Sequence, residues 1–292
     1  MRLGVVFPQT EIGNDPGAVR AYAQAVEALG YDYLLAYEHV VGAHPERLRD
    51  LGREPPYTHT SPFHEPFVLF GFLAAVTSRL ELTTGVLILP QRQTVLAAKQ
   101  AAEVDVLSRG RLRLGVGLGW NPVEYEALAQ NFRNRGRRVE EQVALLRLLW
   151  TQELVDFEGR YHRVRGAGIN PLPVRRPIPV WMGGSAEPAL RRMARIADGW
   201  ISQLAPTPEA GAVVERVRGY VREAGRDPAT FGVEGRLHFG SASREAWREA
   251  VGLWRRLGGT HLAVNTMRCG LRTPDDHIAA VAAFREAVRD VL

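Results

Sequence analysis

Residues 96–121, Leu96-Ala-Ala-Lys-Gln-Ala-Ala-Glu-Val-Asp-Val-Leu-Ser-Arg-Gly-Arg-Leu-Arg-Leu-Gly-Val-Gly-Leu-Gly-Trp-Asn121, contain one full step of the pattern that decides the fold. Apolar residues recur at helical spacing from Leu96 to Leu107, and Ser108-Arg109-Gly110 stops the helix. Leu112 to Val116 is a short apolar run of the buried-strand kind. Gly115-Val116-Gly117-Leu118-Gly119 then turns the chain into Asn121-Pro122-Val123-Glu124. Asparagine as N-cap, proline behind it and glutamate three residues on predict a new helix, with Glu124 as a capping residue. The same order of helix, glycine and strand recurs in Leu29-Gly30-Tyr31-Asp32-Tyr33-Leu34, in Ala197-Asp198-Gly199-Trp200-Ile201 and in Leu257-Gly258-Gly259-Thr260-His261-Leu262. Glycine there supplies a left-handed helix stop.

Outward from this step, strands are expected at Leu3–Phe7, Tyr33–Tyr37, Leu80–Leu87, Leu112–Val116, Ile178–Met182, Trp200–Ser202, Phe231–Phe239 and His261–Val264. Helices fill the intervals, two of them (Pro122–Ala129 and Val139–Trp150) after the fourth strand. Eight strands, each followed by helix, predict an α/β fold, a (β/α)8 TIM barrel in one domain over residues 1–292, with a doubly wound sheet as the alternative. Two stretches break the rhythm. Residues 40–64, after the second strand, are rich in Pro, Gly, His and Arg and lie where a lid or substrate wall would form. Residues 153–177, before the fifth strand, hold a hairpin around Glu158-Gly159.

A chain of 292 residues, 46% apolar and 24% charged, can bury a large core and is neither disordered nor fibrous. No apolar run reaches the ~18 residues of a membrane span. The opening residues lack a long apolar stretch, so no secretory signal is expected. The single cysteine, Cys269, excludes an intrachain disulfide and a cysteine-based zinc cluster, and points to a reducing cytoplasm. All but one of the 37 basic residues are arginine, Lys99 being the exception, and the net charge is +5. The densest basic cluster, Arg133, Arg135, Arg137 and Arg138, runs straight into Glu140 and Glu141. It reads as a solvated helix start rather than a phosphate track, so no nucleic-acid partner is expected.

In a barrel the carboxyl ends of the strands converge on one mouth. Those ends carry Gln9, Glu38, His39, Gly85, Val86, Trp120, Asn121, Gly183, Gly184, Ser185, Ser202 and Asn265. Glycines, amides and aromatics suit a flat organic cofactor better than acid–base hydrolysis. The glycine spacing at 115–119 is not the dinucleotide fingerprint. Met182-Gly183-Gly184-Ser185 joins a strand to a helix start, where backbone amides can meet an anion and Ser185 can cap. His39 is a candidate acid or base. His39, His44, His59 and His64 match no ligand spacing, and no metal is expected. Ser61, Ser185 and Ser202 lack a nucleophile-elbow context.

The combination of Arg2–Gln9, Tyr33–His39, His64-Glu65-Pro66-Phe67, Ala74–Leu89, Ala98-Lys99-Gln100 through Leu112, Leu114–Asn121, Pro179–Ser185 and Ala197–Trp200 resembles the bacterial luciferase-like monooxygenase family. These are flavin- or deazaflavin-dependent (β/α)8 oxidoreductases, and the likeness is strongest to the branch that uses coenzyme F420. The resemblance implies a non-proline cis peptide at Gly85-Val86, in a bulge with Thr84 behind the isoalloxazine ring. It also implies His39 beside the reactive ring edge and Gly183-Gly184-Ser185 at the cofactor phosphate. Glu38, Gly117, Trp120 and Asn121 complete the expected cofactor set, with Gln9, His64 and Asn265 toward substrate. The implied activity is hydride transfer between F420 and a small organic substrate, His39 polarising or protonating the reacting partner. FMN-dependent monooxygenation with molecular oxygen and a non-catalytic flavin-binding barrel are the alternatives. A homodimer is implied by the resemblance alone. Trp120 stands where the sugar-phosphate dehydrogenases of the family carry an acid, and Lys99 is the only lysine available to a sugar phosphate. A sugar-phosphate pocket built on ammonium groups is therefore not expected, though arginines could substitute, and the general acid is left unassigned.

Overall fold

The computed structural model describes residues 1–49, 56–240 and 242–292. Its elements run β1 (Arg2–Val6), α1 (Pro16–Ala28), β2 (Tyr33–Ala36), α2 (Pro45–Arg49), α3 (Pro66–Val76), β3 (Glu81–Thr84), β4 (Leu87–Ile88), α4 (Thr94–Leu107), β5 (Leu112–Gly117), α5 (Pro122–Ala127) and α6 (Arg135–Thr151). Then follow β6 (Val155–Glu158), β7 (Arg163–Ala167), β8 (Val180–Gly183), α7 (Glu187–Ile196), β9 (Gly199–Ile201), α8 (Pro208–Glu223), β10 (Gly232–His238), α9 (Arg244–Arg256), β11 (His261–Asn265) and α10 (Pro274–Ala287). Parallel neighbours run β3-β2-β1-β11-β10-β9-β8-β5-β4, and β3 also pairs with β5, which closes the sheet on itself. The expected single strand over 80–87 is broken at Gly85-Val86 into β3 and β4. Taken as one strand, they leave eight parallel strands among the described residues, and the fold is a TIM barrel.

Alternation along each strand divides the core in two. Leu34 and Ala36 of β2 face the helices, with Leu3, Val5, Leu262 and Val264. Tyr33 and Leu35 face the barrel interior, with Val6, Trp181, Ile201 and Ala263. At its amino-terminal end the interior holds charge. Arg113 is fully buried and donates to Glu81 Oε1 at 2.7 Å and to Glu234 Oε2 at 3.0 Å. Its guanidinium lies 4.3 Å from the Trp181 ring centroid and 4.8 Å from that of Tyr33. Burial pulls the Arg113 charge down, but Glu234 and Glu81 outweigh it and hold the guanidinium above its usual value. His261 beside this network is depressed to about 3, by burial and then by the Arg113 charge.

Gly30 and Gly258 do end helices at positive φ, as the sequence echo predicts. Gly199 does not. It sits in β9, where a Cβ would stand 2.4 Å from the Trp181 indole, so its reason is close approach rather than a left-handed stop. The hairpin of β6 and β7 falls where expected. Its turn is held by Glu141 of α6, which accepts from the Arg160 and Tyr161 backbones and contacts His162 Nδ1 at 2.7 Å. Helix α6 starts at Arg135, four residues before the expected Val139. The Arg135 guanidinium covers the Phe132 ring at 3.6 Å, and Arg138 donates to the Arg92 carbonyl, so two members of the basic cluster are engaged by the protein itself. Within the 40–64 insertion the structure adds the short α2, and residues 50–55 of that expectation lie outside the described residues. Among the described residues no helix is long and apolar enough to cross a membrane.

Candidate active site

The carboxyl ends of the strands converge on a floor built around Val86. The Gly85-Val86 peptide is cis, at the bond expected from the resemblance. Thr84 is fully buried and its hydroxyl donates to the Gly115 carbonyl at 2.6 Å, which ties the interrupted strand to β5. A Cβ on Gly117 would lie 2.3 Å from Val86 Cγ2, and one on Gly183 would lie 2.9 Å from Val86 Cγ1. The two glycines therefore form a slot for the valine side chain. Glycine at these places answers to the packing of Val86.

Glu38 is placed differently from the expectation of a cofactor contact. It continues the helix-facing side of β2 and is buried. One oxygen accepts from the Ile88 backbone N–H at 2.5 Å and the other from Arg92 Nε at 2.8 Å. Arg92 also reaches Glu65, the N-cap of α3. The carboxylate thus anchors β4 to the helix layer. Burial pulls the Arg92 guanidinium down, but Glu38 and Glu65 hold it above its usual value.

His39 is half-buried on the opposite side of the chain. Its Nδ1 lies 2.8 Å from Glu124 Oε1, and the Tyr57 ring stacks on it with centroids 3.5 Å apart. Phe63 packs edge-on at 4.8 Å. Tyr57 donates its hydroxyl to the same Glu124 oxygen at 2.8 Å and accepts from Asn121 Nδ2 at 3.2 Å. Gln91 Nε2 donates to Glu124 Oε2 at 3.1 Å. Burial, then the Glu124 charge, pushes the Tyr57 phenol above its usual value, so it remains a donor. Glu124 is therefore not the expected capping carboxylate. Asn121 caps α5 alone, accepting from Val123 N–H at 3.0 Å, while Glu124 turns inward and is 1% exposed. Trp120 meets the edge of Tyr57 with centroids 5.9 Å apart.

The remaining expected residues fall around this cluster. Gln9 is buried and donates Nε2 to the Tyr37 carbonyl at 2.7 Å, while its Oε1 is buried with no partner among the described residues. His64 packs by Phe7, and its Nε2 is likewise buried without a partner. Burial lowers its pKa and keeps it neutral. Asn265 turns its Oδ1 onto the Met267 N–H at 3.0 Å. The turn from Gly183 to Ser185 is pinned from below by Trp200 Nε1 donating to the Gly184 carbonyl at 2.9 Å. The N-cap of α7 is Ala186, not Ser185, and no side chain caps this helix, whose start is exposed. Ser202 is buried and accepts from the Leu204 N–H at 3.2 Å. Tyr37 and Arg236 were not anticipated. The Arg236 guanidinium donates to the Tyr37 hydroxyl from inside the barrel and carries a charge that Glu234 partly balances. No sequence signal joins residues 199 positions apart.

His44 and His59 stack on each other with centroids 5.6 Å apart, away from the His39 contacts. No group of three or more His, Cys, Asp or Glu able to hold a metal occurs among the described residues. An isoalloxazine-type ring fits what is present: a half-exposed valine platform, buried polar atoms of Gln9 and His64 that lack partners, and an uncapped helix start for an anionic tail.

Among proteins of known sequence, an uncharacterised protein of Mycobacterium tuberculosis is 36% identical over 209 residues, which cover 70% of this chain and 71% of that one. An F420-dependent hydroxymycolic acid dehydrogenase of the same organism is 28% identical over 88% of this chain and 68% of its own. An FMNH2-dependent dimethylsulfone monooxygenase of Pseudomonas fluorescens is 29% identical over 68% of this chain and 52% of its own. The solved structure of an F420-dependent secondary alcohol dehydrogenase in complex with an F420-acetone adduct superposes over 100% of this chain and 99% of its own, with a TM-score of 0.78 at 16% identity, a likeness of fold. The family described as luciferase-like monooxygenase matches residues 1–289. With both F420- and FMN-dependent relatives on either side of it, the chain belongs to the luciferase-like monooxygenase family and is an enzyme of its oxidoreductase and monooxygenase kind.

Proposed function

We propose that the protein transfers hydride between coenzyme F420 and a small organic substrate bound over the barrel mouth. The observation that carries this reading is the Val86 platform, seated in its glycine slot within the ring of strand ends that includes His39 and the uncapped α7 turn. Bound there, the deazaflavin would supply or accept the hydride, and the chain's own groups would do the rest. Val86 would support the ring from behind, and the amides of Gly184 and Ser185 would hold the phosphate. Gln9 Oε1 and His64 Nε2 would meet polar edges of cofactor or substrate. Tyr57 and Phe63 would keep water from the reacting face. His39 would take the substrate proton on oxidation and return it on reduction.

The Pseudomonas relative supports a second reading, FMN-dependent monooxygenation, on the same site. Titrating the protein with each oxidised coenzyme, followed by coenzyme fluorescence, tests the choice. Saturable quenching of F420 with weak or no FMN binding is expected. Tight FMN binding with no F420 binding transfers the reading to the monooxygenase. A bound coenzyme without turnover for any donor–acceptor pair transfers it to a carrier barrel. The homodimer is part of the same proposal, and light scattering is expected to give twice the 32.4 kDa of the chain.

A further inference from the structure

We propose that Glu124 and Tyr57 are positioning residues for His39: Glu124 fixes the imidazole proton on Nδ1, and Tyr57, delivered by the segment between β2 and α3, locks that pair in place. This deepens the proposed function, because it rests on His39 being the group that handles the substrate proton. With Glu124 a carboxylate, the contacts leave one consistent hydrogen-bond assignment. Glu124 Oε1 lies 2.8 Å from both His39 Nδ1 and the Tyr57 hydroxyl, and Oε2 lies 3.1 Å from Gln91 Nε2. Gln91 can only donate from that nitrogen, and the Tyr57 hydroxyl already accepts from Asn121 Nδ2. An ionised carboxylate accepts and never donates. Three donors therefore converge on one buried carboxylate, and the proton between His39 and Glu124 belongs to Nδ1. Nε2 is left as the imidazole atom that can serve a substrate. Free imidazole has no such constraint, so the tautomer here is imposed by the site.

Tyr57 adds a second constraint. Its ring covers the His39 face at 3.5 Å with a 25° interplanar angle, and Phe63 closes the edge. The imidazole is held by a hydrogen bond in its plane and a ring against its face. Tyr57 belongs to the 40–64 stretch, expected from the sequence to form a lid or substrate wall. That segment is held at Tyr57 by Asn121 and Glu124, and at the neighbouring Pro56 by the Arg268 side chain, which donates to the Pro56 carbonyl from the loop after β11. Tyr57 thus becomes part of the proton-handling apparatus, and its placement and the tautomer of His39 are linked through one carboxylate oxygen.

The test is nitrogen-15 NMR of the full chain labelled in histidine, with His39 assigned by difference from His39→Asn. At a pH where the imidazole is neutral, wild-type His39 is expected to show Nδ1 protonated and Nε2 bare. Glu124→Ala is expected to shift His39 toward the Nε2-protonated form. It should lower kcat by about 10²-fold, within the range that general acid–base catalysis contributes, while coenzyme affinity stays within about 3-fold. Tyr57→Phe keeps the stacking ring and loses the hydroxyl, and a drop of about 10-fold in kcat is expected, the size of one lost hydrogen bond to a charged group. A wild-type His39 protonated on Nε2 overturns the proposal without any variant having to fold. So does a Glu124→Ala protein whose tautomer and kcat match the wild type. Failure of the hydride-transfer reading is a separate result, since it appears as absent turnover or coenzyme binding while the wild-type tautomer measurement stands.

Discussion

Replacing Gly117 by alanine should unseat Val86, and the geometry sets the size of the effect. The new Cβ would lie 2.3 Å from Val86 Cγ2 and 3.3 Å from its Cβ, whereas carbon atoms in contact settle at about 3.5–4.0 Å. One of the two must move by more than 1 Å. On the other side of the slot a Cβ on Gly183 would stand 2.9 Å from Val86 Cγ1, so only the absence of a side chain there leaves the valine room. Overpacking of this kind costs about 1–3 kcal/mol. With an unfolding entropy near 2.1 cal/mol/K per residue, 292 residues give about 0.6 kcal/mol/K, so the midpoint should fall by about 2–5 °C. The discriminating variant is Gly117→Ala combined with Val86→Ala, which removes the atoms that collide. The double mutant should recover most of the loss, and a double-mutant cycle should return a coupling of about 0.5–3 kcal/mol. Thermal unfolding followed by circular dichroism reads all four proteins. If Gly117→Ala is as stable as the wild type, or if Val86→Ala adds its own cost without relief, the slot is not what requires glycine at 117.

Three further outcomes follow from the same contacts. Glu234→Gln leaves Arg113 with only one buried carboxylate, and breaking a buried pair of this kind costs about 3–5 kcal/mol, or about 5–8 °C in midpoint by the conversion above. Glu38→Gln is expected to lower the midpoint through the loss of the Ile88 and Arg92 bonds; a change in coenzyme affinity at unchanged stability would instead return Glu38 to the cofactor. His261, ordinarily near 6.5, is held at about 3 in the folded chain, so the unfolded chain takes up the proton first as pH falls. The stability due to its neutral form is whole above about 6.5 and is lost from there down to about 3, amounting to about 2 kcal/mol by pH 5. Urea unfolding at pH 7 and pH 5 should show a smaller difference for His261→Gln than for the wild type, and equal differences would remove His261 as the cause.

The barrel is legible in the sequence because strand and helix periods alternate along the whole chain, and local pattern is enough to place Leu112–Val116 or the α4 stop at Ser108-Arg109-Gly110. The hairpin at 155–167 is legible for the same reason. What pattern cannot give is which way a side chain turns once its backbone is placed. Glu124 stands where a capping glutamate would, three residues after its N-cap, yet the pull of His39, Tyr57 and Gln91 from three other segments draws it inward. Glu38 sits beside His39 in sequence, but alternation sends it to the opposite face, onto Ile88 and Arg92. Gly199 repeats the motif of Gly30 and Gly258 but exists for the bulk of Trp181. Each of these was decided by a partner remote in sequence. Gly117 and Gly183 lie far apart in sequence, and the side chain both must accommodate, Val86, becomes visible only with the sheet closed.

The most direct measurement of the central claim is a crystal structure of the protein with oxidised F420 bound. The account predicts the deazaflavin ring lying against Val86 with one edge toward His39 Nε2, and the phosphate at the amides of Gly184 and Ser185. A ring bound away from Val86, or a phosphate held elsewhere with the α7 turn still empty, would contradict it.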